Sequence, residues 1–211
     1  MKNFLAVDTS GSYLSVVAMK DGNAVSVCEK DCAMRHSVLL LEKIDEALAL
    51  AKMTPSECDV FAACVGAGSF TGIRIGISAV KGLALALGKP TLGVTSFALA
   101  AYNSIDGEPQ GRVLCLVDAL HDCYYACGYE KGEVVLPPAY LTEAEVLALA
   151  AEGYALRSCA ELPIADKAKV EVVCPTEGLK NAVLREIERE NFTELSAVYV
   201  RKSSAEENVC K

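Results

Sequence analysis

The sequence contains no tryptophan and only two histidines, and its basic residues are scattered. It has 20 Lys and Arg against 28 Asp and Glu, a formal net charge of −8, and no basic cluster longer than Arg201-Lys202. A domain that grips a phosphate backbone by itself needs a basic face. The composition therefore argues against tight, direct nucleic-acid binding by this chain alone, although a basic partner could bring a nucleic acid close.

Residue pairs with metal-ligand spacing are also missing. None of the ten cysteines forms a C-x-x-C pair, and the closest spacings are Cys28/Cys32 and Cys123/Cys127. His36 and His121 lie far apart in the chain, so there is no H-x-x-x-H pair to place two imidazoles on one helix face. We expect no metal site, and we interpret the cysteines as buried free thiols in a reducing cell.

Long apolar runs are missing as well. The sequence has no run of about 18 apolar residues, so we predict no membrane span. The apolar run in residues 1–8 is too short for a signal peptide. Hydrophobic residues still make up 52% of the 211 residues, which provides ample core material. We expect a cytoplasmic protein of one large domain or two small ones.

An internal repeat is the main organisational feature that the sequence does contain. Residues 4–8 match residues 114–118 at a constant offset of 110, and the same offset relates Gly22 to Gly132. In each copy an apolar run ends in Asp, and two more strands joined by a tight glycine turn follow, at residues 13–19 and 24–28 in the first copy and at residues 123–129 and 134–136 in the second. This pattern predicts a three-stranded antiparallel meander in each half, and hence two similar domains.

The elements after each meander predict an α/β fold. In the first half, amphipathic periodicity and breakers predict helices at 37–52, 73–87 and 96–102, and strands at 59–65 and 92–94. In the shorter second half they predict helices at 143–151 and 178–190, and strands near 154–157 and 171–174. The breaker-rich segment 103–109 predicts a boundary between domains 1–104 and 105–211. The C-terminal tail is expected to return to the first domain.

A glycine-rich run, GAGSFTGIRIG at residues 66–76, joins the predicted strand 59–65 to the helix that follows. Glycines at such a turn let backbone amides face an anion, or let the helix pack closely on the strand. The spacing fits neither G-x-G-x-x-G nor a P-loop, because the third glycine comes one residue late and no Gly-Lys-Ser/Thr follows. By itself the run favours a plain strand-to-helix turn.

As a family signature the same run is more specific. It resembles the GPGSFTGLRIG motif of the TsaB (YeaZ) family, with Ala67 in place of Pro and Ile73 in place of Leu. The resemblance spans the whole chain and is strongest over residues 1–120. The other matching segments are Asp8-Thr9-Ser10, Arg35-His36-Ser37 with Leu39-Leu40, Thr95-Ser96, Asp118-Ala119 and Tyr199-Val200-Arg201.

The resemblance implies an actin/Hsp70-like (ASKHA) fold with two RNase H-like domains, each with a mixed sheet and flanking helices, the second reduced. It also implies membership of the glycoprotease-like (Gcp/peptidase M22-like) superfamily. In function it implies a non-catalytic subunit that binds a TsaD-like catalytic subunit and a TsaE-like ATPase. That complex adds threonylcarbamoyl to the adenosine beside the tRNA anticodon. The lone chain is expected to form a homodimer and to contact tRNA only indirectly.

The residues themselves predict no catalytic site. Actin-like ATPases hold nucleotide between two Asp turns, and the second turn here, residues 118–122, has no glycine and adds the repelling charge of Asp122. In that turn Leu120 stands where the family has Arg, which removes a cation. We expect no cofactor on the chain alone, with ATP or ADP at the interface of the complex. The vestigial cofactor-binding candidates are Asp8, Gly66, Gly68, Ser69 and Asp118.

Function is then expected on a surface made by helices 37–52 and 73–87, because the second is apolar nearly all round. The predicted interface residues are His36, Leu40, Ile44, Ile73, Arg74, Gly76, Ile77, Val80, Lys81 and Leu83. The alternative hypothesis is an independent small ATPase or kinase of the same fold. A metallopeptidase is disfavoured by the missing His pair, and a Cys32–His36 enzyme by the lack of a third group.

Overall fold

A computed structural model describes residues 2–103 and 111–201, and each half contributes five strands. The first half contains β1 Phe4–Asp8, β2 Leu14–Lys20, β3 Asn23–Glu29, α1 His36–Leu50, β4 Val60–Cys64, α2 Phe70–Leu87, β5 Thr91–Val94 and α3 Ser96–Ala101. The second contains β6 Arg112–Asp118, β7 Cys123–Glu130, β8 Glu133–Thr142, α4 Glu143–Ala151, β9 Ala155–Ser158, β10 Val170–Val172 and α5 Pro175–Glu188.

The two halves build sheets of the same topology, in the orders β3-β2-β1-β4-β5 and β8-β7-β6-β9-β10. The central strand of each sheet pairs antiparallel with the next strand in the chain and parallel with the strand that follows the next helix, α1 or α4. Asp8 and Asp118 end the two central strands. The predicted repeat and the predicted α/β fold are therefore confirmed.

The elements stack as layers around three hydrophobic clusters. Strand alternation sends Phe4 and Ala6 to a cluster shared by both sheets, while Leu5 and Val7 face the cluster under α1 and α2. The third cluster lies between the second sheet and α4. β1 is consequently buried along its whole length, which suits its continuous apolar sequence.

Helices α3 and α5 lie between the two sheets and hold the halves together. α5, from the second half, packs on β2 and β5 of the first sheet, whereas α3, from the first half, packs on β6. The helices cross closely at Gly178, where a Cβ would overlap the carbonyl of Leu99. Only glycine permits this approach, so the relative placement of the two sheets depends on it.

Strand β8 is longer than predicted. The sequence indicated residues 134–136, whereas the strand runs over Glu133–Thr142 and includes Pro137 and Pro138. Proline is tolerated here because β8 is an edge strand, where an N–H facing away from the sheet is not needed. The pairing with β7 shifts register near Gly128, which is typical of a β-bulge.

Residues 193–201, here called the C-terminal strap, run back over the first sheet. The Thr193 amide donates to the Thr91 carbonyl (3.1 Å), and the Val198 amide donates to the Val65 carbonyl (2.7 Å). Leu195 is 2% exposed and belongs to the cluster under α1 and α2.

The predicted domain boundary at 104/105 lies outside the described residues.

Most of the predicted interface residues are buried in the chain's own core, because the 3.6-residue apolar stripe of each helix faces the chain's own sheet. The buried positions are His36, Ile44, Ile73, Gly76, Ile77 and Val80, and Leu40 is also only 2% exposed. Arg74 is exposed, and Lys81 and Leu83 are half-buried. The outward faces instead carry Val38, Leu41 and Leu85.

Within the described residues, α2 alone has the length and hydropathy to cross a membrane. The core helix of a water-soluble protein meets the same criteria, so this is weak evidence for a span. One side of α2 packs on β4 and β1.

The nine cysteines among the described residues are free thiols, which confirms the sequence interpretation in part. Five are buried, and burial raises the pKa of Cys58 and of Cys127 to about 11. Cys28 and Cys174 are exposed, contrary to the prediction. Burial also raises the pKa of Cys174, but the Thr176 hydroxyl and the backbone amides of Glu177 and Thr176, at the start of α5, outweigh it. The net result is a lowered pKa.

We expect Cys174 to react with iodoacetamide at lower pH than the buried cysteines, because a lowered pKa leaves more thiolate at a given pH. Labelling should be followed by peptide mass spectrometry across a pH series. Cys174→Ser should remove the labelling that occurs at low pH. Cys28→Ser, which removes the other exposed thiol, is the control and should leave that labelling unchanged. Equal labelling of Cys174 and Cys115 in the folded protein would contradict the assignment.

Candidate functional site

A cleft of about 610 Å³ lies between the two halves, at the ends of β1 and β6. Its walls come from the turns after both strands, from the glycine-rich loop before α2 and from the segment after β9. The side chains that line it include Ser10, Tyr13, Ser69, Phe70, Ser96, Asp118, His121, Tyr125, Cys159, Glu161 and Arg201. The cleft is thus the natural place to look for a bound ligand.

The two Asp turns are built alike. The Oδ1 of Asp8 accepts from the Ser10 amide at 2.8 Å, and the Oδ1 of Asp118 accepts from the Leu120 amide at 2.8 Å. This is the turn-capping role that short acidic side chains take. Asp8 is fully buried beneath the cleft, whereas Asp118 is exposed at its wall. The symmetric carboxylates are therefore explained by the repeat and its turns.

The glycine-rich loop packs α2 onto the first Asp turn. A Cβ at Gly72 would overlap the Thr9 carbonyl, and one at Gly68 would overlap the Ser10 carbonyl. The Ser69 amide donates to the Ser10 carbonyl (2.8 Å), and the Ser69 hydroxyl caps α2 by accepting from the Gly72 amide (3.2 Å). These amides point at the chain's own oxygen atoms. The loop therefore acts as the strand-to-helix turn that the spacing favoured.

The side chain of Tyr13 occupies the space above the first turn. Its ring lies over Gly11, where a Cβ would be 2.8 Å from Cε1 of the ring. Burial raises the pKa of Tyr13 well above its ordinary value, and the Asp8 carboxylate adds to the rise, so the phenol stays protonated. His36 fixes this segment, because its Nε2 donates to the Tyr13 carbonyl at 3.0 Å. The predicted partner residue His36 is thus a buried support for Tyr13.

The second Asp turn is bent in a way that the sequence did not indicate. Leu120, His121 and Asp122 all have positive φ, at 64°, 55° and 55°. This left-handed conformation costs a residue other than glycine about 1 kcal/mol. The turn directs the exposed side chains of Leu120 and His121 to the cleft wall.

The cofactor-binding candidates are only partly brought together. Gly68, Ser69 and Asp118 line the cleft, and Asp8 lies below it. Gly66 faces the C-terminal strap instead, since a Cβ there would lie 2.7 Å from the Val198 carbonyl oxygen.

Sequence reasoning gave no role to several residues in and beside the cleft. Ser96 donates to the Ala67 carbonyl and lies 3.1 Å from the Ser10 hydroxyl, which ties α3 to both loops. Phe70 stacks on Tyr199 of the strap, with ring centroids 4.4 Å apart. The motif match at residues 199–201 was a signal for the strap, but it assigned no role.

A second concave surface lies on the outside of the first half, between α1 and α2. This α1–α2 groove has a volume of about 650 Å³ and is lined by Ser37, Leu40, Leu41, Thr71, Arg74, Ile75, Ser78 and Ala79. Arg74 is the one charged member of this set. Of the predicted interface residues, Arg74 is exposed at the wall of this groove, and Leu40 is buried beneath its floor.

Two RNase H-like units around a cleft define the actin/Hsp70-like (ASKHA) class of α/β proteins. A family model for "TsaD: tRNA N6-adenosine threonylcarbamoyltransferase" matches residues 27–211. TsaB of Escherichia coli (strain K12), a tRNA threonylcarbamoyladenosine biosynthesis protein, is 31% identical over 129 residues, 61% of this chain. YeaZ from Pseudomonas aeruginosa superposes with a TM-score of 0.79 at 28% identity, covering 94% of this chain and 100% of that one. The chain belongs to the TsaB (YeaZ) family, within the superfamily that includes TsaD.

The match to the curated relatives is partial in length. It spans 55% of TsaB from Escherichia coli and 62% of TsaB from Buchnera aphidicola subsp. Schizaphis graminum, which is 30% identical over 132 residues.

We expect Gly72→Ala to destabilise the protein by more than about 3 kcal/mol, because the added methyl overlaps the backbone of the first Asp turn. Gly82→Ala is the matched control in the same helix. A Cβ at Gly82 meets nothing within 4 Å, so that variant should gain about 0.5–1 kcal/mol from helix propensity. Urea unfolding of both variants tests this. Equal stability would show that α2 does not depend on the close packing.

Proposed function

We propose that this chain is a non-catalytic subunit of the machinery that adds threonylcarbamoyl to the adenosine beside the tRNA anticodon. It would act by binding and supporting a TsaD-like catalytic subunit. Membership of the TsaB family supports the pathway. The observation that carries the partner-binding role is the apolar α1–α2 groove with the exposed apolar side chains beside it.

Both helices that form the groove carry exposed apolar side chains. Val38 and Leu41, one turn apart on α1, are 74% and 62% exposed, and Leu85 on α2 is 86% exposed. Both helices bury their other apolar stripe in the first half, so these side chains are surplus to the core. Large exposed apolar residues grouped on one face favour a protein interface.

The condition of the cleft supports a non-catalytic role. Tyr13 lies over the first turn, and the loop amides of Ser69 and Gly72 are bonded to the chain itself. No group of three or more metal-ligating side chains occurs in the part of the chain that the structure describes. These two loop amides are therefore not available to a phosphate group.

The other members of the proposed assembly follow from the family and the charge. A TsaE-like ATPase would join the TsaD-like subunit, and ATP or ADP would be held at the interface of the complex. The net charge of −8 favours indirect tRNA contact. The lone chain would pair with a second copy through the same apolar face, and the setting would be the cytoplasm.

The alternative, an independent small ATPase or kinase, is favoured by one observation, the cleft of about 610 Å³ between two Asp turns. Titration of the lone chain with Mg-ATP by calorimetry separates the two hypotheses. We expect no saturable heat, because Tyr13 blocks approach to the first turn. Saturable binding accompanied by phosphate release would favour the ATPase.

We expect Leu41→Asp to abolish binding to the TsaD-like protein of the same organism while the monomer stays folded, because the new carboxylate is buried on docking. Val172→Asp is the matched control, since Val172 is 52% exposed on edge strand β10, at the far sheet. Size-exclusion chromatography with light scattering measures the complex, and circular dichroism checks the fold. Intact binding by Leu41→Asp would remove the groove from the interface.

A further inference from the structure

Arg74 is held in a defined position at the wall of the α1–α2 groove. Its Nε donates to the Tyr199 hydroxyl at 2.9 Å, and its guanidinium lies 5.7 Å from the centre of the Tyr199 ring. Tyr199 is itself fixed in two ways. Its ring stacks on Phe70, and the amide of the preceding residue, Val198, donates to the Val65 carbonyl. The C-terminal strap therefore orients a cation on an otherwise uncharged groove.

The two terminal nitrogens of Arg74 have no protein partner within residues 2–103 and 111–201. The contacts of Arg74 there are those with Tyr199, and no carboxylate forms an ion pair with it. Because only Nε is bonded to the phenol, the terminal N–H groups of the guanidinium are available to a planar acceptor. The acceptor that matches this fork best on a protein surface is a carboxylate.

Lys81 on the same helix provides an internal contrast. It forms an ion pair with Glu194 of the strap, with Nζ and Oε1 3.4 Å apart. Its charge is thus already compensated within the chain. Of the two cations that the sequence assigned to the interface, only Arg74 is left to recognise an external anion.

We propose that Arg74, positioned by Tyr199, selects the partner by pairing with an Asp or Glu carboxylate set in an apolar helical face of the TsaD-like subunit. This inference rests on the proposed function and specifies the chemistry of the docking face. Apolar side chains of that face would fill the groove beside Leu40 and Leu41, and the carboxylate would meet the fork of Arg74. Because Arg74 needs a carboxylate opposite it, an apolar helix that carries one binds better than an apolar surface that does not.

The role of Tyr199 is that of a positioning residue. An arginine that is already oriented loses less side-chain freedom on docking than a mobile one, so the contact gains affinity. Tyr199→Phe keeps the ring stack on Phe70 and removes only the hydroxyl that accepts from Arg74. It therefore tests positioning without removing the strap.

The experiment is the dissociation constant of the full chain with the TsaD-like protein of the same organism, measured at low and high NaCl. Arg74→Gln should weaken binding by about 30-fold or more and flatten the salt dependence, since a docked charge pair is lost. Tyr199→Phe should weaken binding by about 2- to 10-fold. Lys81→Gln should stay near the wild type.

A second control tests the loss of an arginine–phenol bond in general. Tyr154→Phe removes the bond from Arg112 Nη2 (3.0 Å) in the second half, away from the groove, and should leave binding unchanged.

Charge reversal then identifies the anion. Arg74→Glu should fail to bind wild-type partner and recover with the partner variant in which the paired carboxylate is replaced by Arg.

The outcomes separate the inference from the proposed function. If the wild-type chain does not bind the TsaD-like protein, the proposed function falls and this inference falls with it. If the wild type binds but Arg74→Gln matches Lys81→Gln in affinity and salt dependence, only the selection by Arg74 is overturned. If Arg74→Gln breaks a homodimer and leaves the heterocomplex intact, the carboxylate belongs to a second copy, which also overturns it.

Discussion

The crossing of α3 and α5 is the contact on which the rest of the arrangement depends. Each helix comes from one half of the chain and packs on the sheet of the other, and Gly178 lets them approach until backbone meets backbone at Leu99. The two sheets therefore share one hydrophobic cluster. This shared core places the turn after β1 opposite the turn after β6, and so creates the cleft.

The chain's own groups cover part of the cleft wall that the first half contributes. Tyr13 covers the first turn, the Ser69 amide donates to the Ser10 carbonyl, the Gly72 amide donates to the Ser69 hydroxyl, and the strap packs over Gly66. Each of these contacts satisfies a buried polar group or fills apolar space, so together they stabilise the first half.

The strap connects this cleft with the outer groove. Phe70 lines the cleft, Tyr199 stacks on it, and Arg74 at the groove wall bonds to Tyr199. At the end of the strap, Arg201 donates to Tyr140 of β8 at 3.1 Å, in the second half. A segment of nine residues thus touches both halves and both concave surfaces, although it has no regular secondary structure of its own.

Sequence reasoning succeeded where the signal was local. The repeat at an offset of 110, the alternating strands and the amphipathic helices were found from periodicity, and α4 was predicted at its observed bounds, Glu143–Ala151. It failed on β8, because prolines at an edge strand look like breakers. Periodicity also placed the predicted interface residues on the apolar stripes of α1 and α2, but it cannot tell whether such a stripe meets the chain's own sheet or a partner.

The sequence by itself determined the α/β class, the duplication and the family, since each depends on the order and spacing of residues along the chain. Only the tertiary structure decided that His36 supports Tyr13, that Tyr13 covers the first turn, and that Tyr199 orients Arg74 across 125 positions of sequence. Those contacts join residues that are remote in the chain. They exist because the shared core brings their elements together, and no local pattern carries that information.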